Sequence, residues 1–220
     1  MGHYDVGYFK NNNKLNRSNL GKKRNIKNRV LAWKLSKEYY DGKRINGYGG
    51  FKYDGRWRKL LPKLIKRYKL NNNSSILDLG CKKGFIMQDL KFFLPKAKIL
   101  GIENHSYPIS KAKKSLRKKI YLRNYYDIKF NKKFDFIIAF NSIYMQNLGD
   151  VIKTLKSISK ISKRSLVVLA SYEKEIDRKK FLDWTLLGTT ILKKREWKSL
   201  FKLVGYKGDY YFSDAKSLGL

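Results

Sequence analysis

The sequence predicts an α/β fold in which a doubly wound sheet of mostly parallel strands follows an N-terminal helical cap. After residue 73, short apolar runs alternate with amphipathic stretches, which is the order of strands and helices in such folds. Short runs such as FDFIIAF and SLVVLAS are mainly apolar, as expected for strands that are covered on both faces. Hydrophobic residues make up 42% of the 220-residue chain, which is enough to build a core.

This alternation predicts five strands and three helices in the middle of the chain. The predicted strands are Ser75–Leu79, Lys98–Ile102, Ile120–Arg123, Phe134–Phe140 and Ser165–Ser171. The predicted helices are approximately Gly84–Phe93, Pro108–Lys118 and Gly149–Ser162. From Lys193 the pattern predicts another helix, then Gly205, then a strand over Tyr210–Phe212.

The residues before the sheet divide into a tail and a cap. Residues 1–27 are polar and basic with little periodicity, which predicts a flexible tail. Residues 28–73 form the predicted cap, and residues 74–220 form the predicted α/β domain. Apolar positions from Ile26 to Tyr40 predict the first amphipathic helix of this region.

A second cap helix is predicted at about Trp57–Tyr68, where Pro62 requires either a kink or a start at Leu61. Between the two helices lies the run NGYGGFKYDGRW, Asn46–Trp57, whose glycines and aromatics indicate an ordered loop. Its aromatic side chains, Tyr48 among them, either close over a ligand or pack the cap helices onto the sheet.

The charge is strongly basic, since 51 Lys and Arg against 17 Asp and Glu give a formal net charge of +34. Such an excess suggests a polyanionic partner, such as a nucleic acid. However, lysine far outnumbers arginine, and Lys, Asn and Ile together are what codon drift in an AT-rich genome produces. Both explanations remain open at this stage.

Several classes of protein are excluded. A single cysteine, Cys81, excludes a disulfide scaffold and a four-thiolate zinc site, and no metal site is predicted. No apolar run reaches the roughly 18 residues of a membrane span. The N-terminus lacks the apolar segment of a signal peptide, so we expect a cytoplasmic protein.

The first predicted strand runs into ILDLGCKKGF, residues 76–85, which carries the clearest functional signal. An acidic residue at a strand end, a glycine turn and a glycine opening a helix present backbone groups to a nucleotide-like ligand. Asp78, Gly80 and Gly84 stand at these places. Glu103 follows the second strand, where a carboxylate accepts both ribose hydroxyls. The two carboxylates, in this order and spacing, therefore predict a nucleotide-like ligand.

These motifs resemble those of the class I S-adenosylmethionine-dependent methyltransferases over about residues 74–171. The run from Asp78 to Gly84 is similar to the first motif of that family, but Lys82 stands where the family usually has a glycine. The resemblance implies a Rossmann-like fold, S-adenosylmethionine as cofactor and methyl transfer as activity. The cofactor-binding residues predicted from the motifs and the loop are Tyr48, Asp78, Gly80, Cys81, Gly84, Glu103, Asn104, Asn124, Tyr125 and Asn141.

A narrower resemblance extends over most of the chain. The runs NGYGGFKYDGRW, GCKKGF, FLDWTLLGTT and GYKGDYYF are similar to a small, type 11-like group of bacterial methyltransferases. That group is associated with carbohydrate or surface-polysaccharide biosynthesis. The resemblance therefore implies an acceptor of sugar type without specifying the molecule.

A catalytic base is not evident, because transfer from a sulfonium depends mainly on proximity and orientation. A sugar hydroxyl would still benefit from a base within hydrogen-bond reach. The candidates are Asp54, Tyr144, Tyr172 and Glu173, although a residue of each kind is more often a packing or surface residue than a base.

Three functions remain in competition. We favour a methyltransferase that acts on a small molecule, because a single compact domain with a cap suits enclosure of a small acceptor. A nucleic-acid methyltransferase is suggested by the charge. However, Asn141 is followed by Ser142, whereas DNA enzymes that methylate amino groups have an Asn or Asp followed by two prolines and an aromatic residue. A non-catalytic protein on the same fold is suggested by Lys82.

Overall fold

The computed structural model describes residues 1–5, 7 and 17–220. Its centre is a seven-stranded sheet, in which every strand pair between described residues is parallel. The strands are β1 (Ser75–Leu79), β2 (Lys98–Glu103), β3 (Ile120–Leu122), β4 (Phe136–Phe140), β5 (Ser165–Tyr172), β6 (Leu192–Lys193) and β7 (Asp209–Ser213). The order β3-β2-β1-β4-β5-β6, with β7 also paired to β5, confirms the predicted doubly wound α/β fold.

Helices cover both faces of this sheet. They are α1 (Arg17–Lys22), α2 (Ile26–Trp33), α3 (Lys37–Tyr40), α4 (Leu61–Tyr68), α5 (Phe85–Phe93), α6 (Ser106–Ser110), α7 (Lys114–Arg117), α8 (Leu148–Ile161), α9 (Glu175–Trp184), α10 (Lys194–Leu203) and α11 (Ala215–Leu218). Among these described helices, none is long and apolar enough to cross a membrane.

Two helices that the pattern predicts as continuous are each broken in two. The helix predicted over Ile26–Tyr40 is interrupted near Leu35, whose φ of 47° is left-handed and cannot continue an α-helix. The helix predicted over Pro108–Lys118 is α6 and α7 instead. Helix α4 begins at Leu61, which confirms the predicted start there rather than a kink at Pro62. Pro62 lies in the first turn, where the backbone N–H that proline lacks would have no partner within the helix.

The tail has structure that its composition does not predict. His3 forms a parallel bridge with Tyr210 of β7, and its ring lies 5.5 Å from that of Tyr211. Helix α1 packs on α9 so closely that a Cβ at Gly21 would lie 3.2 Å from the backbone of Asp183. Both contacts fall within residues 1–27, whose flexibility remains a prediction.

The core lies on both faces of the central strands. On one face α8 and α10 contribute fully buried side chains such as Leu155 and Trp197. On the other face α4 and α5 contribute Leu64 and Met87. A third apolar cluster packs the cap against Leu186, which follows α9. The cap is thereby held over the carboxyl ends of the strands.

Candidate functional site

A cavity of about 160 Å³ lies beneath the cap and against the end of β2. The order of the strands reverses between β1 and β4, and the crevice at such a point is where α/β sheets bind ligands. The cavity is lined by Trp33, Leu35, Tyr39, Tyr40, Lys82, Glu103, Asn104, Tyr125, Met145, Gln146, Leu187 and Thr189.

The turn after β1 requires glycine at Gly80. Its φ is 79°, and a Cβ there would lie 2.3 Å from the Cβ of Ser142, which follows β4. Ser142 also donates a hydrogen bond of 2.7 Å to the carbonyl of Leu79. The ends of β1 and β4 are therefore held together directly beside the cavity.

Two polar side chains at these strand ends have unsatisfied buried oxygens. Oδ2 of Asp78 and Oδ1 of Asn141 have no hydrogen-bond partner among the described residues. Asn141 also has a left-handed φ of 51°. A buried acceptor without a partner costs about 1–3 kcal/mol, and such costs concentrate where a ligand binds. Burial raises the pKa of Asp78 to about 7. The positive charge of Lys82 acts to lower this pKa, and the nearby carboxyl of Glu103 acts to raise it.

Glu103 places its carboxylate against the cavity, where backbone N–H groups hold it in position. One oxygen, Oε2, accepts the backbone N–H of Lys82 at 2.8 Å, and Oε1 accepts that of Asn104 at 3.0 Å. The hydroxyl of Tyr125 donates to Oδ1 of Asn104 at 3.2 Å. Glu103 also accepts from the backbone N–H of His105 and, at 3.5 Å from Oε1, from the hydroxyl of Tyr125. A carboxylate offers about four acceptor positions, so a ligand hydroxyl would take the place of the long Tyr125 contact.

Lys82 is the feature that departs from the family pattern, and it lines the cavity. Its φ of 54° is left-handed, which agrees with the glycine that usually stands at this position. Burial acts to lower the pKa of its ammonium, but the acidic groups of Tyr48, Glu103 and Asp78 outweigh burial and raise the pKa. A charged ammonium therefore faces the two carboxyl groups inside the site.

The opposite wall of the cavity is neutral and largely aromatic. The cap contributes Trp33 and Tyr39, Gln146 follows β4, and Leu187 and Thr189 follow α9. None of these five residues was assigned to the site from the sequence, although Leu187 and Thr189 lie within the run FLDWTLLGTT. The spacing of Trp33 and Tyr39 marks an amphipathic face, but the sequence does not show that the face turns toward β4.

An ion pair connects the cap to the turn after β1. The buried ammonium of Lys83 donates to Oδ1 of Asp41 at 2.6 Å and to the carbonyl of Phe51 at 2.9 Å. Asp41 also accepts from the hydroxyl of Tyr107 at 2.8 Å. Although burial acts to raise it, these hydrogen bonds lower the pKa of Asp41. The position of the cap is thus coupled to the turn that carries Gly80.

Of the ten predicted cofactor-binding residues, only Glu103, Asn104 and Tyr125 line the cavity. Besides Asp78, Gly80 and Asn141, four others do not line it. Tyr48 packs behind Tyr40, with ring centroids 5.9 Å apart. The thiol of Cys81 is buried and packs against Gly101. Gly84 precedes α5 with a φ of 73°. The remaining one, Asn124, donates to the hydroxyl of Tyr126 at 3.1 Å. Their roles toward a cofactor remain predictions.

The four candidates for a catalytic base are scattered. Asp54 is exposed and pairs with Arg56 at 2.7 Å, and Glu173 is an exposed residue after β5. Tyr172 is buried in the core. Tyr144 is buried beside the residues that line the cavity, and burial, with the nearby Tyr48, raises its pKa. None of the four belongs to the cavity lining.

Two comparisons place this architecture among known proteins. Residues 70–205 match the family model described as a methyltransferase domain. A Haloferax volcanii structure of a methyltransferase with the Trm112 activator matches with 16% identity, a TM-score of 0.54 and coverage of 68% of each chain. YcgJ from Bacillus subtilis matches with 16% identity, a TM-score of 0.54 and coverage of 66% of each chain.

At this identity the matching structures establish the fold alone. No curated protein matches the sequence significantly. The family model, however, covers more than half of the chain, including the first strand, the glycine turn and Glu103. The chain therefore belongs to the methyltransferase domain family.

Proposed function

We propose that the protein is an S-adenosylmethionine-dependent methyltransferase whose acceptor is a small molecule of sugar or nucleotide-sugar type. The main support is the cavity, which has charged and polar groups at the end of β2 and an aromatic, neutral wall under the cap. A cofactor and a small acceptor would meet at this cavity, whose volume of about 160 Å³ accommodates only part of the two, and the cap would limit the access of water.

The residues at the strand ends fit the cofactor. Glu103 would accept the ribose hydroxyls, and Asn104 and Tyr125 would border the adenosine. The side-chain oxygens of Asp78 and Asn141 that have no partner would accept hydrogen bonds from the amino-acid part of the cofactor. When bound, S-adenosylmethionine supplies an electrophilic methyl group on a sulfonium. The chain itself contributes the orientation of the two reactants and the exclusion of water.

The opposite wall fits a sugar-like acceptor. Trp33 and Tyr39 offer aromatic surfaces for a ring, while Gln146 and Thr189 offer polar groups for hydroxyls. Burial raises the pKa of Tyr39 well above its ordinary value, so its hydroxyl does not act as a base at neutral pH. Positioning, rather than a dedicated base, is the contribution that this wall supports.

Calorimetry with S-adenosylmethionine tests the cofactor assignment. Replacing Glu103 with Gln should weaken binding by about 1–3 kcal/mol, because charge-assisted hydrogen bonds to the ribose are lost. Glu196→Gln is the matched control, since Glu196 also accepts a backbone N–H, at 2.8 Å from Lys193, but at the start of α10. Equal affinity in both variants would contradict the assignment.

Lys82 favours one alternative, a non-catalytic protein on this fold. Under that alternative its ammonium would take the place of the cofactor beside Asp78 and Glu103. The native protein would then not bind S-adenosylmethionine, whereas Lys82→Gly would. We expect the native protein to bind. Transfer of labelled methyl to nucleotide-sugar pools, but not to RNA, then tests the acceptor class.

A further inference from the structure

Two of the chain's arginines share one aromatic ring. The guanidinium carbon of Arg24 lies 4.4 Å from the ring centroid of Trp184, and that of Arg44 lies 5.1 Å from it. A third arginine, Arg29, reaches the same segment and donates to the carbonyl of Thr185 at 2.6 Å. We call Arg24, Arg29 and Arg44 the arginine cluster.

The arginine cluster is bonded to carbonyl oxygens rather than to carboxylates. Arg24 donates to the carbonyls of Ile45, Arg44 and Trp184. Arg29 donates to Leu182 and Thr185, and Arg44 donates to Gly47. Each guanidinium has five N–H donors, so donors are left over on all three.

The positive charge of the cluster is not neutralised. Within the described ranges no carboxylate lies within 4.0 Å of these three side chains. Burial and the neighbouring Arg44 lower the pKa of Arg24 to about 10, and burial and Arg17 lower that of Arg44. Positively charged guanidinium groups therefore lie close together in a partly buried region, which is unfavourable unless an anion binds between them.

Stabilising the end of α9 would explain one arginine of the cluster but not all three. Carbonyls at the end of α9 carry the negative end of the helix dipole, and one arginine there is favourable. A second guanidinium on the same ring adds repulsion. Some other arginines that cross between elements meet a carboxylate, as Arg67 does with Asp209 at 2.7 Å.

None of the three arginines lines the cavity, but residues that they contact or influence lie in or next to the wall that would receive the acceptor. Tyr39 lines the cavity, and its hydroxyl acts electrostatically on both Arg24 and Arg44. Arg29 holds Thr185, two residues before Leu187 of the same wall. A ligand whose ring occupies the cavity could extend a charged group to the cluster.

We propose that the arginine cluster binds the phosphate or diphosphate group of the acceptor. The proposal rests on the proposed function and narrows its acceptor to a phosphorylated one, such as a nucleoside diphosphate sugar. Guanidinium groups present parallel N–H donors that match phosphate oxygens in two-pronged contacts. The ring of Trp184 contacts two of these groups, so both are held in one region of the surface.

Calorimetry with inorganic pyrophosphate and with UDP, which lacks the adenine of the cofactor, in the absence of S-adenosylmethionine, tests the proposal. Both probes should bind, and Arg44→Gln should weaken them by about tenfold or more, as for a lost charged hydrogen bond. The matched control is Arg123→Gln. Arg123 also lies over a ring, that of Tyr121 at 5.1 Å, and donates to a carbonyl, that of Lys129.

The outcomes are distinct. Unchanged binding in Arg44→Gln, or equal weakening in Arg123→Gln, would overturn the proposal, since the binding would then come from dispersed surface charge. Nanomolar binding of random-sequence RNA that Arg44→Gln abolishes would also overturn it and would indicate a nucleic-acid surface. Because these assays contain no S-adenosylmethionine, their failure leaves the Glu103 test of the proposed function unaffected.

Discussion

The buried carboxyl of Asp78 should make the stability of this protein fall as the pH rises from about 4 to about 7. Burial holds the pKa of Asp78 near 7, whereas an aspartate in the unfolded chain titrates near 3.8. Between these values the folded chain keeps a proton that the unfolded chain has released. Unfolding therefore releases a proton, and stability declines with pH throughout this window.

The magnitude follows from the shift of about three pKa units at about 1.36 kcal/mol each, which gives about 4 kcal/mol. The Asp78→Asn variant lacks this titration. Its free energy of unfolding relative to the native protein should increase by about 4 kcal/mol between pH 4 and pH 8. Urea unfolding of both proteins, without added cofactor, measures this difference directly.

Asp135→Asn is the control with the opposite sign. Hydrogen bonds from the backbone and hydroxyl of Ser75 lower the pKa of Asp135, so its contribution to stability is present at neutral pH and is lost on acidification. The stability of Asp135→Asn relative to the native protein should therefore fall as the pH rises. A difference for Asp78→Asn that is flat, or that follows the Asp135 direction, would refute the reasoning.

Two further substitutions test the parts that shape the site. Gly80→Ala should destabilise the protein by about 2 kcal/mol or more, because a left-handed φ of 79° and a Cβ 2.3 Å from that of Ser142 both oppose it; wild-type stability in urea would contradict this. Lys83→Met should cost about 1–3 kcal/mol by leaving Asp41 without its buried partner, whereas Lys153→Met on the surface should cost under about 0.5 kcal/mol. Equal costs in these two lysine variants would show that the ion pair between cap and turn is energetically unimportant.

The framework of the sheet was predictable from the sequence because each central strand is marked by a short, mainly apolar run of neighbouring residues. The run SLVVLAS has five apolar residues between two serines, and the structure buries every residue of β5. The placement of Asp78 and Glu103 was also predictable, since both lie at strand ends whose position in a parallel sheet follows from their order in the chain.

Secondary-structure elements that are short or rich in charged residues were not predicted from the sequence. Helix α9 has six charged residues among its ten, so its apolar face is narrow, and β6 is only two residues long. The break at Leu35 arises because the cap turns there, bringing Leu35 against the cluster that includes Leu186. Such turns depend on packing against distant segments, which a local pattern does not contain.

The sequence by itself thus determined the fold class, the glycine turn after β1 and the pair of acidic strand ends, because each depends on residues a few positions apart. Only the tertiary structure decided what forms the other wall of the cavity and what surrounds Trp184. Arg29 and Thr185 are 156 residues apart in the chain, yet a hydrogen bond joins them. Contacts over such separations arise from the packing of whole elements, so no spacing or motif in the sequence reveals them.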